Sequence, residues 1–206
     1  MALHTTKYGV KMPDLKQDLI RFFLTNKSFK HDPINKFRLS SGVESEFYVD
    51  CKSLMADPMA RAKVAAYAYE KIKGLSFDFI GGLEIGAIAI ATILSDFGLK
   101  ADAQMWPTFV VRKQAKGHGL GKKIEGIVRP NGKALIVDDV LTSGGSILQA
   151  VEAVREAGLT VEHALVIVDR QEQSGQKNLQ NKGVNVVSLL TIKDFQAVEK
   201  LAPAFR

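Results

Sequence analysis

Residues 134–146 read ALIVDDVLTSGGS, and this stretch decides the fold. Ala134 to Val137 are apolar without alternation, the pattern of a strand buried on both faces. The strand delivers two carboxylates, Asp138 and Asp139, then Val140 and Leu141, then the small residues Thr142, Ser143, Gly144, Gly145 and Ser146. A helix-period segment, SILQAVEAVREAG, opens at once and is closed by Gly158. A small-residue turn leaves backbone N–H groups uncovered, and the helix N-terminus adds partial positive charge, so the turn suits a terminal phosphate. The hydroxyls of Thr142, Ser143 and Ser146 add donors. Two adjacent carboxylates should repel a phosphate, and they make sense if they grip another part of the same ligand, such as the two hydroxyls of a ribose. A helix N-cap would explain a serine here, but neither the double glycine nor the acid pair.

The same strand–turn–helix grammar continues on both sides. FDFIGG (77–82), TFVVR (108–112), VEHALVIVDR (161–170) and VNVVSLLT (184–191) read as strands, with helices over 58–73 and 86–97 and a terminal helix. Apolar strands separated by helices predict a parallel sheet covered on both faces, and in such sheets ligands lie beyond the carboxyl ends of the strands. An α/β core over 58–206 is therefore expected. Before it, residues 1–57 hold a helix at 13–26, with Pro13 in its first turn, and two short strands, FRLSSG and SEFYVD, around a turn at Ser41–Gly42.

Bulk properties narrow the classes. With 28 Lys and Arg against 22 Asp and Glu, the chain carries +6, which permits nucleic acid, an anionic surface or a phosphorylated small ligand. Basic residues scatter without a run of five, so neither a nucleic-acid nor a membrane partner is expected. Cys51 is the single cysteine, which leaves no disulfide and no thiol cluster for a metal. The N-terminus lacks a signal-like apolar stretch, and the longest apolar run, Ile85 to Leu94, is too short to span a bilayer, so a cytosolic location is expected. Nucleotide motifs of other kinds fail: Gly126 to Lys133 has the wrong spacing for G-x-x-x-x-G-K-[ST], and GGLEIG lacks the G-x-G-x-x-G order.

Two further stretches follow strands. VVRKQAKGHGLGKKIEG (110–126) combines Gly117, Gly119, Gly121 and Gly126 with Arg112, Lys113, Lys116, His118, Lys122 and Lys123. Its composition fits a cationic lid over an anion site as well as a solvated surface loop. VIVDRQEQSG places Asp169 and Arg170 at a strand end, where the planar guanidinium suits either a ligand carboxylate or an intramolecular Asp or Glu.

The spelling adds a resemblance. ALIVDDVLTSGGS resembles the diphosphoribosyl-binding signature of type I phosphoribosyltransferases, and RKQAKGHG is similar to the loop R-K-x-x-K-x-H-G of orotate phosphoribosyltransferases. FRLSSGVESEFYVD is similar to that family's base-covering segment F-x-L-x-S-G-x-x-S-x-x-Y, and GGLEIGAIAIA to its pyrophosphate-side loop. The resemblance runs from about residue 37 to 194 and implies a type I phosphoribosyltransferase-like parallel sheet flanked by helices, with residues 1–57 as a small hood of helix and hairpin over the base site.

By resemblance alone, the activity would convert orotate and 5-phosphoribosyl 1-diphosphate (PRPP) to orotidine 5′-monophosphate and pyrophosphate, a step of pyrimidine (UMP) biosynthesis. The family likeness also implies a role for each site residue. Asp138 and Asp139 would hold the ribose hydroxyls, and Thr142, Ser143, Gly144, Gly145 and Ser146 the 5-phosphate, with Val140 and Leu141 between them also part of the PRPP-binding segment. Arg112, Lys113, Lys116 and His118 would be the catalytic-loop residues, reaching into the site of a second copy in a homodimer. Arg170, with Thr142, would anchor orotate, and Phe47 and Tyr48 would cover the ring, although aromatic residues in a hairpin are commonly packing. Mg²⁺ would be held mainly by substrate oxygens near Asp138 and Asp139. Two departures stand out: many members carry Lys where this chain has Ser40, directly before S-G, and where it has Ile85, directly before Gly86.

Overall fold

In the computed structural model, residues 12–38, 42–114 and 123–201 are described. A six-stranded sheet takes shape from β5 (Phe79–Leu83), β6 (Thr108–Val111), β7 (Ile124–Gly126), β8 (Lys133–Leu141), β9 (Thr160–Asp169) and β10 (Asn185–Thr191). Its spatial order is β10-β9-β8-β5-β6-β7, and all pairs are parallel except β6 with β7. The connecting helices are α4 (Gly86–Asp102), α5 (Gly145–Glu156) and α6 (Gly175–Gln180), and α7 (Ile192–Leu201) follows β10.

Side-chain alternation divides the core between the two faces of the sheet. Leu135, Val137, Leu165 and Ile167 turn toward Ala87, Ile90 and Leu94 of α4, and toward Phe195 of α7. Ala134, Ile136, Ala164 and Val166 turn the other way, toward Ile147, Val151 and Val154 of α5 and Leu179 of α6. The expected strand–helix succession is present, as is the layered α/β class. The sheet is mixed, however: the glycine-rich stretch read as loop as far as Gly126 returns as the antiparallel edge strand β7.

The segment before the sheet comprises α1 (Met12–Thr25), β1 (Phe29–His31), β2 (Phe37–Arg38), β3 (Glu44–Ser45), β4 (Phe47–Val49), α2 (Cys51–Ala56) and α3 (Pro58–Ile72). The sequence suggests one hairpin here, but two two-stranded ribbons are found: β2 pairs with β3, and β4 pairs with β1. Phe29–His31 is too short for its periodicity to register, so a strand that takes half of the expected hairpin escapes a pattern search. Asp57 starts α3 by accepting from the N–H groups of Met59 and Ala60, with Pro58 behind it. Leu15, Leu19 and Phe23 of α1 join the core face shared by α3, α4 and α7. Among the described residues, no helix is long and apolar enough to cross a membrane.

Candidate active site

The chain leaves β5 for one face of the sheet and β8 for the other, and then moves outward in opposite directions, to β6 and to β9. Such a switch point opens a crevice beyond the carboxyl ends of the two strands. Asp138 and Asp139 stand at this point. Gly86, at the start of α4, lies directly against them: a Cβ there would come within 2.7 Å of Asp138 Oδ1 and 3.0 Å of Asp139 Oδ1. Only glycine lets the loop after β5 approach so closely.

The acid pair is held from several sides. The Asp139 N–H donates to Asp138 Oδ1 at 2.9 Å, and the Val140 N–H to Asp139 Oδ1 at 2.9 Å. Lys52 Nζ reaches Asp139 Oδ2 at 2.9 Å. Asp138 is only 8% exposed. Its burial, reinforced by the neighbouring Asp139 charge, pushes its carboxyl up to about 7. Around neutrality it can therefore hold a proton and donate as well as accept. Cys51, whose thiol lies 3.6 Å from the Asp139 carbonyl, is buried, and that burial holds the thiol protonated, well above its usual range.

The turn after β8 is braced from α6. Asn178 Nδ2 donates to the Ser143 carbonyl at 2.9 Å, and a Cβ on Gly175 would strike the Thr142 carbonyl oxygen at 2.3 Å. Gly144 caps α5 without a side-chain bond of its own, and the Gly145 N–H that opens the helix donates to Ser143 Oγ at 3.5 Å. Gly145 is exposed there, Thr142 and Ser143 are half-buried, and Leu141 is part of the core.

Arg112 and Lys113 follow β6 on the neighbouring side. The Lys113 N–H donates to Glu84 Oε1 at 2.9 Å and its carbonyl accepts from Gln149 Nε2 at 3.1 Å, which ties this point both to the loop after β5 and to α5. The Arg112 N–H donates to the Lys123 carbonyl, and its buried Nε has no partner among the described residues. Lys116, His118 and Ser40 lie outside the described residues.

Arg170 is 4% exposed at the end of β9. Its Nε donates to Glu172 Oε2 at 2.8 Å, and its Nη2 to Ser45 Oγ at 2.7 Å and to the Phe47 carbonyl at 2.8 Å. Ser45 Oγ in turn donates to Glu172 Oε1 at 2.7 Å. The intramolecular carboxylate that sequence left as an alternative partner is thus present, while Nη1 makes none of these bonds. Phe47 and Tyr48 are neighbours on β4 and so face opposite ways. Phe47 stacks on His31 at 4.7 Å, whereas Tyr48 lies out against Phe37 at 5.6 Å with Lys30 over its ring. The structure does not bring both rings to one side.

Lys52, Ser45, Glu84 and Asn178 do not stand out in the sequence; they are ordinary polar residues whose importance comes from tertiary contacts. Glu172 has a signal, as the acid two residues after Arg170 in VIVDRQEQSG. Among the described residues, no three His, Cys, Asp or Glu side chains gather into a metal cage. The acid pair is a donor set for a hard cation that completes its shell from ligand oxygens.

Residues 51–202 match the model of the phosphoribosyl transferase domain family. The orotate phosphoribosyltransferase of Pyrococcus furiosus is 36% identical over 182 residues, which is 87% of this chain and 94% of that protein. The orotate phosphoribosyltransferase of Mycobacterium tuberculosis, solved with Fe(III) dicitrate, aligns at a TM-score of 0.72 and 30% identity over 88% of this chain and 98% of that one. A structure of that enzyme with PRPP aligns at 0.68 and 25% identity, covering 88% of this chain and 92% of that one.

Proposed function

Since this chain belongs to the phosphoribosyl transferase domain family, and within it to the orotate phosphoribosyltransferases, we propose that it converts orotate and PRPP to orotidine 5′-monophosphate and pyrophosphate. The single observation that carries this reading is the acid pair followed at once by the braced turn, both at the switch point between β5 and β8. A ribose 5-phosphate has hydroxyls and an anion at about the separation of these two features.

The bond from the anomeric carbon to the diphosphate oxygen breaks as a ring nitrogen of orotate attacks, through an oxocarbenium-like transition state. Asp138 and Asp139 hold the ribose hydroxyls, and the residues from Thr142 to Ser146 hold the 5-phosphate. Charge grows on the departing pyrophosphate, so Arg112, Lys113, Lys116 and His118 act where donors favour the transition state over the ground state. Asp138 and Asp139, together with substrate oxygens, would hold Mg²⁺, which would neutralise diphosphate charge there. Arg170 and Thr142 select the orotate carboxylate. Glu172 already meets part of the Arg170 charge, so the ligand is read by the remainder of the fork, with Phe47 tied to that network through its carbonyl. Residues 1–57 serve as the hood and 58–206 as the catalytic core. The enzyme works in the cytosol, as a homodimer whose lids are shared.

Loss of orotate absorbance with PRPP and Mg²⁺ is the direct assay. Orotate should be consumed and uracil, lacking the carboxylate, barely used; equal use of both bases would overturn the orotate assignment. For the shared lid, Lys116→Ala should lower turnover about 10²–10³-fold. Mixing that variant with a protein carrying Asp138→Asn and Asp139→Asn should restore part of the activity, because heterodimers then contain one intact composite site. No recovery after confirmed subunit exchange argues against sharing.

A further inference from the structure

We propose that Lys52 is a positioning residue for the PRPP site, holding the outer oxygen of Asp139 so that the acid pair meets its polyanionic ligand with part of its own charge already neutralised. This rests on the proposed phosphoribosyl transfer and adds a residue that neither the phosphate turn nor the lid contains.

The contact is built from the sequence upward. Asp50 starts α2 by accepting from the Ser53 N–H at 3.0 Å and the Ser53 hydroxyl at 2.7 Å. That cap fixes the first turn of the helix. Cys51 is then buried with its thiol toward the Asp139 carbonyl, and Lys52, the next residue, reaches the Asp139 carboxylate. Consecutive residues of α2 thus engage the backbone and the side chain of one aspartate. With Oδ1 taken by the Val140 N–H and Oδ2 by Lys52, both oxygens of Asp139 are oriented before any ligand arrives. Each oxygen keeps a lone pair for a ribose hydroxyl.

Charge points the same way. A diphosphate brought beside two aspartates is repelled unless a cation intervenes. The loop after β5 rests against both carboxylates at Gly86, but its neighbour Ile85 is 71% exposed and carries no charge. Among the described residues, Lys52 is the cation ion-paired with either aspartate. The Lys52 side chain itself is 69% exposed. An ion pair so open to water contributes little to folding. Its effect belongs to the ligand.

Three proteins test this: the parent, Lys52→Met and Lys52→Arg. PRPP binding is measured by calorimetry, and KM is determined separately for PRPP and for orotate. Lys52→Met should weaken PRPP binding about tenfold or more, as removal of a charge-assisted bond at a ligand site does. KM for orotate and the melting temperature should stay close to the parent, and Lys52→Arg should recover most of the affinity. A merely structural lysine would not split the two KM values. A parent that neither binds nor uses PRPP overturns the functional reading and this inference together. A parent that does, beside a Lys52→Met variant of unchanged affinity or one weakened equally toward both substrates, overturns the inference alone.

Discussion

Asp138 is the residue whose environment has the clearest solution consequence. Its carboxyl is raised to about 7 because it is buried beside Asp139, so the folded chain binds that proton more tightly than the unfolded chain does. The stabilisation is complete below about pH 4 and disappears as pH rises through about 7. The lowered carboxyls of Asp50, Asp57 and Asp194 act in the opposite sense and lose their contribution only at acid pH. Between pH 5 and 8 the urea midpoint of the parent should therefore fall by the equivalent of about 2–4 kcal/mol, and that of Asp138→Asn should fall much less. Parallel midpoints across that range in the two proteins would show that the buried acid does not titrate as described. The acid pair was legible because two carboxylates ending an apolar strand are hard to explain otherwise. Lys52 was not, since a lysine after a cysteine means nothing until the chain brings it to Asp139.

Among the elements, α6 is a short helix with a supporting duty. It packs beneath the turn after β8, where Gly175 leaves no room for a side chain between itself and the Thr142 carbonyl. Gly175→Ala should push that turn aside, costing about 1–3 kcal/mol in stability and weakening phosphate binding in the same protein. Calorimetry with PRPP, or with inorganic phosphate as a simpler probe, would report it; unchanged affinity would mean that α6 does not brace the turn. The long helices and the central strands are legible in the sequence, because their apolar patterns span many residues. The elements α2, α6 and β1 are not: they are three to six residues long and are stabilised by their neighbours rather than by a pattern of their own. β7 reads as loop for a different reason, since glycine and lysine content conceals a strand that borrows its hydrogen bonds from β6.

At the scale of the molecule, the two ends of the described chain meet. Phe195 of α7 stacks on Phe29 of β1 at 4.2 Å and lies edge-on to Phe23 of α1 at 5.2 Å, and Lys16 pairs with Asp194 at 2.7 Å. Phe29 also stacks on Phe47, whose carbonyl is bonded to Arg170. The N-terminal helix and ribbon are thus anchored by the last helix as well as by Arg170. Phe195→Ala should cost about 3–5 kcal/mol, seen as a lower urea midpoint. It should also raise KM for orotate more than KM for PRPP, because the loosened ribbon lies on the Arg170 side. A stability loss without any change in KM for orotate would separate the anchor from the site.

β5 joins the two wings of the sheet, and its pairing with β8 unites Phe79 with Ala134. On the ribosome, β5 and β6 emerge first, and one edge of β5 waits bare until β8 follows. All five residues of β5 are buried in the finished protein, so the waiting edge is an apolar template open to any other strand. A nascent chain cut short before Leu141 holds one wall of the crevice and that unsatisfied edge. Premature stop codons in this interval should therefore yield inclusion bodies rather than idle soluble fragments, and the length of the pause between β6 and β8 should set how much a cell's chaperones matter to the yield of active enzyme.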